Sequence, residues 1–206
     1  MALLSPQPPI DLRPAPTRTV RQLLPDQRFR SDAASMVRDW LLHDGSLTER
    51  IQRRHGPVQV TLDREGIGMP SALEAQLLDA GRSGGWWIRE ITMSADGAPR
   101  LRARTLVPPD AAQLRTRLMG LGRTPLGRLL FRADRLRPEV VRGGRGFAHS
   151  ADRGDWLRLT RYLVHGESML VIECPLSALL TPAADRGPLA RQSRRTGADA
   201  RRPVSG

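Results

Sequence analysis

One arginine lies where an apolar strand pattern predicts a buried side chain. Arg89 shares one face of the segment Trp86–Gly97 with three apolar residues, Trp87, Ile91 and Met93. Burying a guanidinium group in apolar surroundings is costly unless its charge meets a partner. Arg89 therefore either binds an internal carboxylate or is placed to bind an acidic ligand.

One glutamate interrupts an apolar strand in a similar way. Glu173 follows the run Met169–Ile172 and alternates onto the face of Met169 and Val171, so we expect it to point inward. Loss of solvent there would favour the neutral acid, which can donate a proton or a hydrogen bond. The alternatives are an edge-strand side chain that faces solvent and an ion pair with Arg161.

Two leucines follow sequence signals for the start of a helix. Pro125 fits the first helical position, which leaves the amide of Leu126 among the unpaired N-terminal donors. Ser46 and Glu49 form the pattern of a capping box, so Leu47 is placed similarly. Helix N-termini attract anions through these amides and the aligned dipole. The leucine side chains themselves also fit a hydrophobic core.

The elements that would position these residues follow an α+β pattern. We expect a hairpin near 86–107 with its turn at Asp96–Gly97, and further strands near 58–62, 157–163 and 167–174. Helices are expected at four places: 33–43 behind the cap Ser31–Asp32, 46–55, 70–80 and 110–131. Short turns favour antiparallel pairing. We predict a single α+β domain, an antiparallel β-sheet with covering helices, and a mobile loop at Gly143–Gly146.

Composition divides the chain into a domain and two tails. Residues 1–30 are rich in Pro and Arg, and residues 184–206 are rich in Arg with almost no large apolar side chain, so we expect both to be disordered. The folded domain is expected over residues 31–183. Neither a membrane-spanning apolar run nor a signal-peptide core is found, which predicts a cytoplasmic protein without stable membrane insertion.

The net charge of +12 does not indicate a nucleic-acid partner. The tails carry +3 and +4 of it, which leaves +5 for the domain, and no nucleic-acid-binding motif accompanies the charge. All 33 basic residues are Arg, so Schiff-base chemistry on Lys is excluded. Cys174 is the single cysteine and the four histidines form no ligand pattern, so no disulfide or metal site is expected. We expect a monomer.

The chain resembles the chorismate lyase family over roughly residues 35–180. Four motifs carry the resemblance in order: Trp87-Ile88-Arg89-Glu90-Ile91, Ala95-Asp96-Gly97-Ala98-Pro99, Ala103-Arg104-Thr105-Leu106-Val107-Pro108 and Leu121-Gly122-Arg123-Thr124-Pro125-Leu126-Gly127-Arg128-Leu129-Leu130-Phe131. The last block is far more specific than a lone glycine motif.

The resemblance implies an enzyme that removes pyruvate from chorismate and leaves 4-hydroxybenzoate, the first step of ubiquinone biosynthesis. It implies neither a metal nor another cofactor. The main alternative is an effector-binding domain of the same fold that binds a small aromatic acid without reaction. Such domains follow a DNA-binding domain in transcription regulators, and the thirty residues that precede this domain are too few for one.

The resemblance also implies roles for five residues. Arg89 and the backbone amides of Leu47 and Leu126 would hold the product carboxylate, and Glu173 would lie at the hydroxyl end. Leu47 stands where the family has Met, a tolerable change for a backbone contact. Arg104 would bind the enolpyruvyl carboxylate, although strict alternation places it on the face opposite the neighbouring Ala103 and Thr105, so only a bulge would turn it inward. A solvated surface charge is the alternative for Arg104.

Overall fold

The computed structural model describes residues 26–149 and 155–180. These residues form seven helices: α1 (Asp26–Asp32), α2 (Ser35–Leu41), α3 (Leu47–His55), α4 (Ala72–Leu77), α5 (Ala112–Met119), α6 (Gly127–Leu130) and α7 (Ser177–Leu180). They also form eight strands: β1 (Val58–Gly68), β2 (Trp86–Ala95), β3 (Ala98–Val107), β4 (Phe131–Arg132), β5 (Arg135–Leu136), β6 (Val140–His149), β7 (Trp156–Val164) and β8 (Glu167–Pro175). None of the described helices is long and apolar enough to cross a membrane.

Six strands form one antiparallel sheet in the order β1-β2-β3-β8-β7-β6, and β4 and β5 form a separate small ribbon. The α+β fold predicted from the sequence is confirmed. The predicted hairpin is β2–β3, and its turn residues Asp96 and Gly97 both have positive φ angles, 54° and 70°. Short connections between sequence neighbours explain the antiparallel pairing.

Each face of the sheet is covered by a different set of helices. We call the face that carries Trp87 and Val171 the helix face, because α5 and α6 pack on it through Leu114, Leu118 and Leu130. The start of α3 packs on the same face in a neighbouring cluster, which contains Leu47, Ile51, Ile91 and Met93. The opposite face is covered by α4 and the segment after it, which pack against Trp86, Ile88 and Leu170.

The N-terminal helices differ from the prediction. The helix expected over 33–43 is α2, which is shorter and is preceded by Ala34, without a side-chain cap, instead of the predicted cap Ser31–Asp32. The helix α1 was not predicted. The helix α1 begins at Asp26, so the domain start predicted at residue 31 falls inside it. Phe29 explains the difference, because its buried ring stacks on Phe147 with 3.9 Å between the ring centroids. Residues 1–25 and 184–206 lie outside the described residues.

The glycine-rich stretch Gly143–Gly146 is strand and not a loop. It belongs to β6, which pairs with β7 and has a bulge between Arg142 and Gly144. A Cβ atom at Gly143 would lie 2.8 Å from Cδ1 of Leu163, so the bulge leaves no room for a side chain there. The predicted helix over 110–131 is likewise interrupted, and α5 and α6 are its two separate parts.

Candidate functional site

A small, partly enclosed cavity lies between the helix face of the sheet and the starts of α3 and α6. Its wall includes Leu47 and Leu126 from the helix side, and Thr105, Tyr162 and Glu173 from the strands. The cavity volume is about 30 Å³. Three of the five residues that the sequence predicted for the site, Leu47, Leu126 and Glu173, therefore lie around one space.

The two helix starts approach each other closely at this cavity. A Cβ atom on Gly127 would lie 2.9 Å from Oγ of Ser46 and 3.4 Å from Oγ1 of Thr48, so a side chain at position 127 would require a neighbouring group to shift. The amides of Leu47 and Leu126 have no hydrogen-bond partner among the described residues. Unpaired amides at helix starts are donors for an anion.

The cap of α3 differs in part from the predicted capping box. Ser46 does cap the helix, because its Oγ accepts a hydrogen bond from the amide of Glu49 at 3.3 Å. The amide of Ser46, however, donates to Oδ1 of Asp134 in the turn between β4 and β5, where the prediction had the Glu49 side chain. The box with both reciprocal bonds is in α4, between Ser71 and Glu74.

Arg89 is buried against the segment that leads into α6. Its side chain is 1% exposed, and Nη2 donates to the carbonyl oxygens of Gly122 at 2.8 Å and Thr124 at 3.1 Å. Both carbonyls belong to the three residues before Pro125, so Arg89 holds the backbone that leads into α6. Arg89 is not itself among the residues that line the cavity, although its partner across β2–β3, Thr105, is.

The charge of Arg89 has no hydrogen-bonded carboxylate partner in the described part of the chain. Its Nε is buried and without a partner, and the carboxylate of Glu65 lies 3.9 Å from it. Burial lowers the pKa of Arg89, and the charge of Glu65 opposes this shift. Burial raises the pKa of Glu65, and the charge of Arg89 opposes that shift. The positive charge is therefore only partly compensated inside the protein.

Glu173 is held by an arginine that sequence reasoning missed. Arg158 of β7 contacts one oxygen of Glu173, Oε2, through Nε at 2.7 Å and Nη2 at 2.6 Å. Its Nη1 donates to the carbonyl oxygen of His43 at 2.7 Å. The second oxygen of Glu173, Oε1, accepts no hydrogen bond from the described residues. The prediction that Glu173 points inward is thus matched by its place in the cavity wall, and its partner is Arg158 instead of Arg161.

Tyr162 was also missed as a site residue. Its side chain lies on the helix face beside Met169, its partner across β7–β8, and lines the cavity. Burial raises the pKa of Tyr162, and the negative charge of Glu173 adds to the rise, while Arg158 and Arg142 oppose it. The sequence contained a signal for both residues. Arg158 and Tyr162 are four positions apart in β7, so period-two alternation places them on the same face of the strand.

Arg104 lies away from the cavity, contrary to the assignment made from the resemblance. Its guanidinium group binds Glu74 through Nε–Oε1 at 3.0 Å and also binds Glu90. Both glutamates lie on the side of the sheet that α4 covers. Alternation is maintained through Arg104 without the bulge that would turn it inward.

A model of the chorismate lyase family matches residues 23–184. Chorismate pyruvate-lyase from Shigella sonnei (strain Ss046) is 35% identical over 150 residues, which are 70% of this chain and 84% of that protein. The chorismate pyruvate-lyase of Escherichia coli O1:K1 / APEC is 36% identical over 146 residues, which cover 68% and 82% of the two chains.

Solved structures show a weaker likeness. The effector domain of PhnF from Mycobacterium smegmatis has a TM-score of 0.39 and 14% sequence identity, and the alignment covers 65% of this chain and 90% of that one. This level of likeness does not bear on function. The family match spans most of the chain and the bacterial relatives exceed 30% identity, so this chain belongs to the chorismate lyase family.

Proposed function

We propose that this protein is a chorismate pyruvate-lyase, which eliminates pyruvate from chorismate and leaves 4-hydroxybenzoate. The observation that carries the proposal is the polarity of the cavity: unpaired amides of Leu47 and Leu126 lie at the helix starts, and the carboxylate of Glu173 lies in the strand wall. The product has matching groups, a carboxylate on one end of its ring and a hydroxyl on the other. Membership of the chorismate lyase family supports the same reaction.

The ring carboxylate binds at the helix starts. The amides of Leu47 and Leu126 donate to its oxygens, and the buried charge of Arg89 adds electrostatic attraction. Arg89 also positions the site through its hydrogen bonds to Gly122 and Thr124, because these fix the backbone before Leu126. One arginine thus serves both the charge and the geometry of the carboxylate site.

Glu173 acts at the hydroxyl end. Its Oε2 is occupied by Arg158, which leaves Oε1 for the substrate. Because Arg158 contacts only Oε2, Oε1 is placed to accept a proton or a hydrogen bond from the ring side. In the elimination the bond between the ring carbon and the ether oxygen breaks, and the hydroxyl-bearing ring carbon loses a proton. Protonation of the released enolpyruvate gives pyruvate, and the ring becomes aromatic.

The protein contributes mainly orientation, because formation of the aromatic ring drives the reaction. Anchoring both ends of the substrate in a water-poor cavity removes orientational freedom before the reaction and strengthens the electrostatic interactions there. No redox step is involved in the balanced equation. From the family resemblance, we also propose that the product is used in ubiquinone biosynthesis. From the resemblance and the composition, we propose that the enzyme is a cytoplasmic monomer.

The cavity must open to admit a substrate. Its volume of about 30 Å³ is close to the share of one water molecule in the liquid, which is far less than a substituted ring needs. The starts of α3 and α6 close the cavity on the helix side, so their separation is the movement that the structure suggests. Release of the product through the same opening is expected to limit turnover.

The test is to mix the purified full-length protein with chorismate, without added cofactor, and to follow 4-hydroxybenzoate and pyruvate by chromatography. We expect equal amounts of both products. Glu173→Gln keeps the shape of the side chain but removes its charge. We expect turnover to fall at least about 100-fold, which is the lower end of the rate enhancement that a general acid or base typically contributes.

Glu139→Gln is the matched control, since it makes the same chemical change at a half-buried residue that pairs with Arg137 and does not line the cavity. Thermal unfolding shows whether each variant is folded. Full turnover in Glu173→Gln would remove its role in proton transfer. An absence of products with the wild type, together with binding of 4-hydroxybenzoate, would favour the effector-binding alternative.

A further inference from the structure

Because Arg104 lies away from the cavity, none of the residues assigned to the site so far binds the second carboxylate of chorismate. This inference rests on the proposed function, because only the substrate carries that group, on an enolpyruvyl side chain. Arg104 is committed to Glu74 and Glu90 on the opposite side of the sheet. The enolpyruvyl group is attached to the ring carbon next to the one that bears the hydroxyl. With the ring carboxylate at the helix starts, the second carboxylate must therefore lie near Glu173 and Tyr162.

Two arginines of the edge strand β6 lie next to this end of the cavity on the helix face. Arg142 is the register partner of Tyr162, and Arg142 opposes the rise that burial causes in the pKa of Tyr162. Arg145 is the register partner of Thr160, the residue between Arg158 and Tyr162 on the same face of β7. The hydroxyl of Thr160 is buried and has no hydrogen-bond partner in the described part of the chain. A polar strip thus runs from Glu173 to the edge of the sheet.

A single exposed carboxylate compensates the two arginines. Oδ1 of Asp44 accepts from Nη1 of Arg142 at 3.1 Å and from Nη2 of Arg145 at 2.8 Å, although the Asp44 side chain is 83% exposed. The Nε atoms of both arginines are buried and lack partners among the described residues. Arg158 cannot share a second carboxylate here, because it is bound to Glu173. Two positive charges thus face one solvent-exposed negative charge.

The electrostatics of Arg145 agree with an under-compensated cluster. Burial lowers the pKa of Arg145, and the charges of Arg158 and Arg142 lower it further, while Asp44 opposes the shift. For Asp44, burial acts to raise the pKa, but the hydrogen bonds and charges of Arg145 and Arg142 outweigh it and lower the pKa. An added anion would relieve the repulsion among the three arginines.

We propose that Arg142 and Arg145 bind the enolpyruvyl carboxylate of chorismate, and that Asp44 occupies this place when no substrate is bound. Arginine suits the role because its planar group offers paired donors to a carboxylate. Asp44 lies two residues before Ser46, the cap of α3, so exchange of Asp44 for the substrate carboxylate takes place beside the helix start that binds the ring carboxylate. Specificity for a dicarboxylate over an aromatic monocarboxylate follows from this pair.

The test compares two ligands that differ in the second carboxylate. In Arg145→Gln, we expect KM for chorismate to rise about 10- to 100-fold, the loss of a charge-assisted contact, while the Kd of 4-hydroxybenzoate by calorimetry changes less than about twofold. Asp44→Asn removes the internal competitor, and its exposure makes it safe for folding, so KM for chorismate is expected to fall.

Arg161→Gln is the matched control, because Arg161 also pairs with an exposed aspartate, Asp79, but on the opposite face of β7. It should leave both ligands unaffected. The inference is overturned if KM for chorismate is unchanged in Arg145→Gln, or if KM and the Kd of 4-hydroxybenzoate rise equally, which would mean a structural role. Should the wild type not convert chorismate, the proposed function fails. In that case the inference is tested separately, by comparing the Kd of chorismate in Arg145→Gln with its Kd in the wild type.

Discussion

Arg104 joins three elements on the side of the sheet away from the cavity. It lies on β3, binds Glu90 of β2, and binds Glu74, whose side chain also caps α4 through the amide of Ser71 at 2.7 Å. All of these groups are buried or nearly so. Alternation along β3 was enough to predict the face of Arg104. Its partner was not predictable, because Glu74 is thirty residues away and reaches it only through tertiary packing.

We expect Arg104→Met to lower stability and to leave catalysis intact. Removing one partner of a buried ion pair leaves an uncompensated charge and costs about 3–5 kcal/mol of unfolding free energy. Urea unfolding measures this loss, and steady-state kinetics at low temperature measure kcat and KM of the folded protein. Unchanged stability together with a raised KM for chorismate would return Arg104 to the substrate site.

The meeting of α3 and α6 is a feature of elements and not of single residues. Pro125 and Ser46 each predicted a helix start from local patterns. Ser46 caps α3 as predicted, whereas α6 begins at Gly127, two residues after Pro125, with Leu126 as its N-cap. The two helix starts face each other because both helices pack on the same face of the sheet. The same holds for Asp134, which replaces Glu49 at the amide of Ser46 because the turn between β4 and β5 brings it there.

Gly127→Ala is expected to disturb this meeting. The added methyl group would lie 2.9 Å from Oγ of Ser46, which is too short a contact, so the Ser46 cap or the helix start must shift, and we expect the anion donors to move with it. We expect kcat/KM for chorismate to fall about 10- to 100-fold, in line with misplacement on the scale of an ångström. The comparison variant is Gly120→Ala, whose methyl group would have ordinary contact with Arg117 at 3.6 Å. Equal kinetics in the two variants would contradict the tight approach.

At the scale of the whole molecule, the sheet separates a structural face from a functional one. Period-two patterns predicted β1, the hairpin β2–β3, β7 and β8 and their antiparallel pairing. They did not predict β6, because its glycine-rich stretch was expected to be a loop. The pairing of Arg158 with Glu173 and the packing of Phe29 on Phe147 involve partners 15 and 118 positions apart, whose contact no local pattern reports. Side chains on the helix face enclose the cavity, and α4 with its ion pairs holds the other face.

The most direct test of this account is a crystal structure of the protein with 4-hydroxybenzoate bound. We predict that the ligand carboxylate lies within about 2.7–3.2 Å of the amide nitrogen atoms of Leu47 and Leu126, and that its hydroxyl lies at the same distance from Oε1 of Glu173. A ligand bound in the reversed orientation, or outside the space between α3, α6 and β8, would contradict the account.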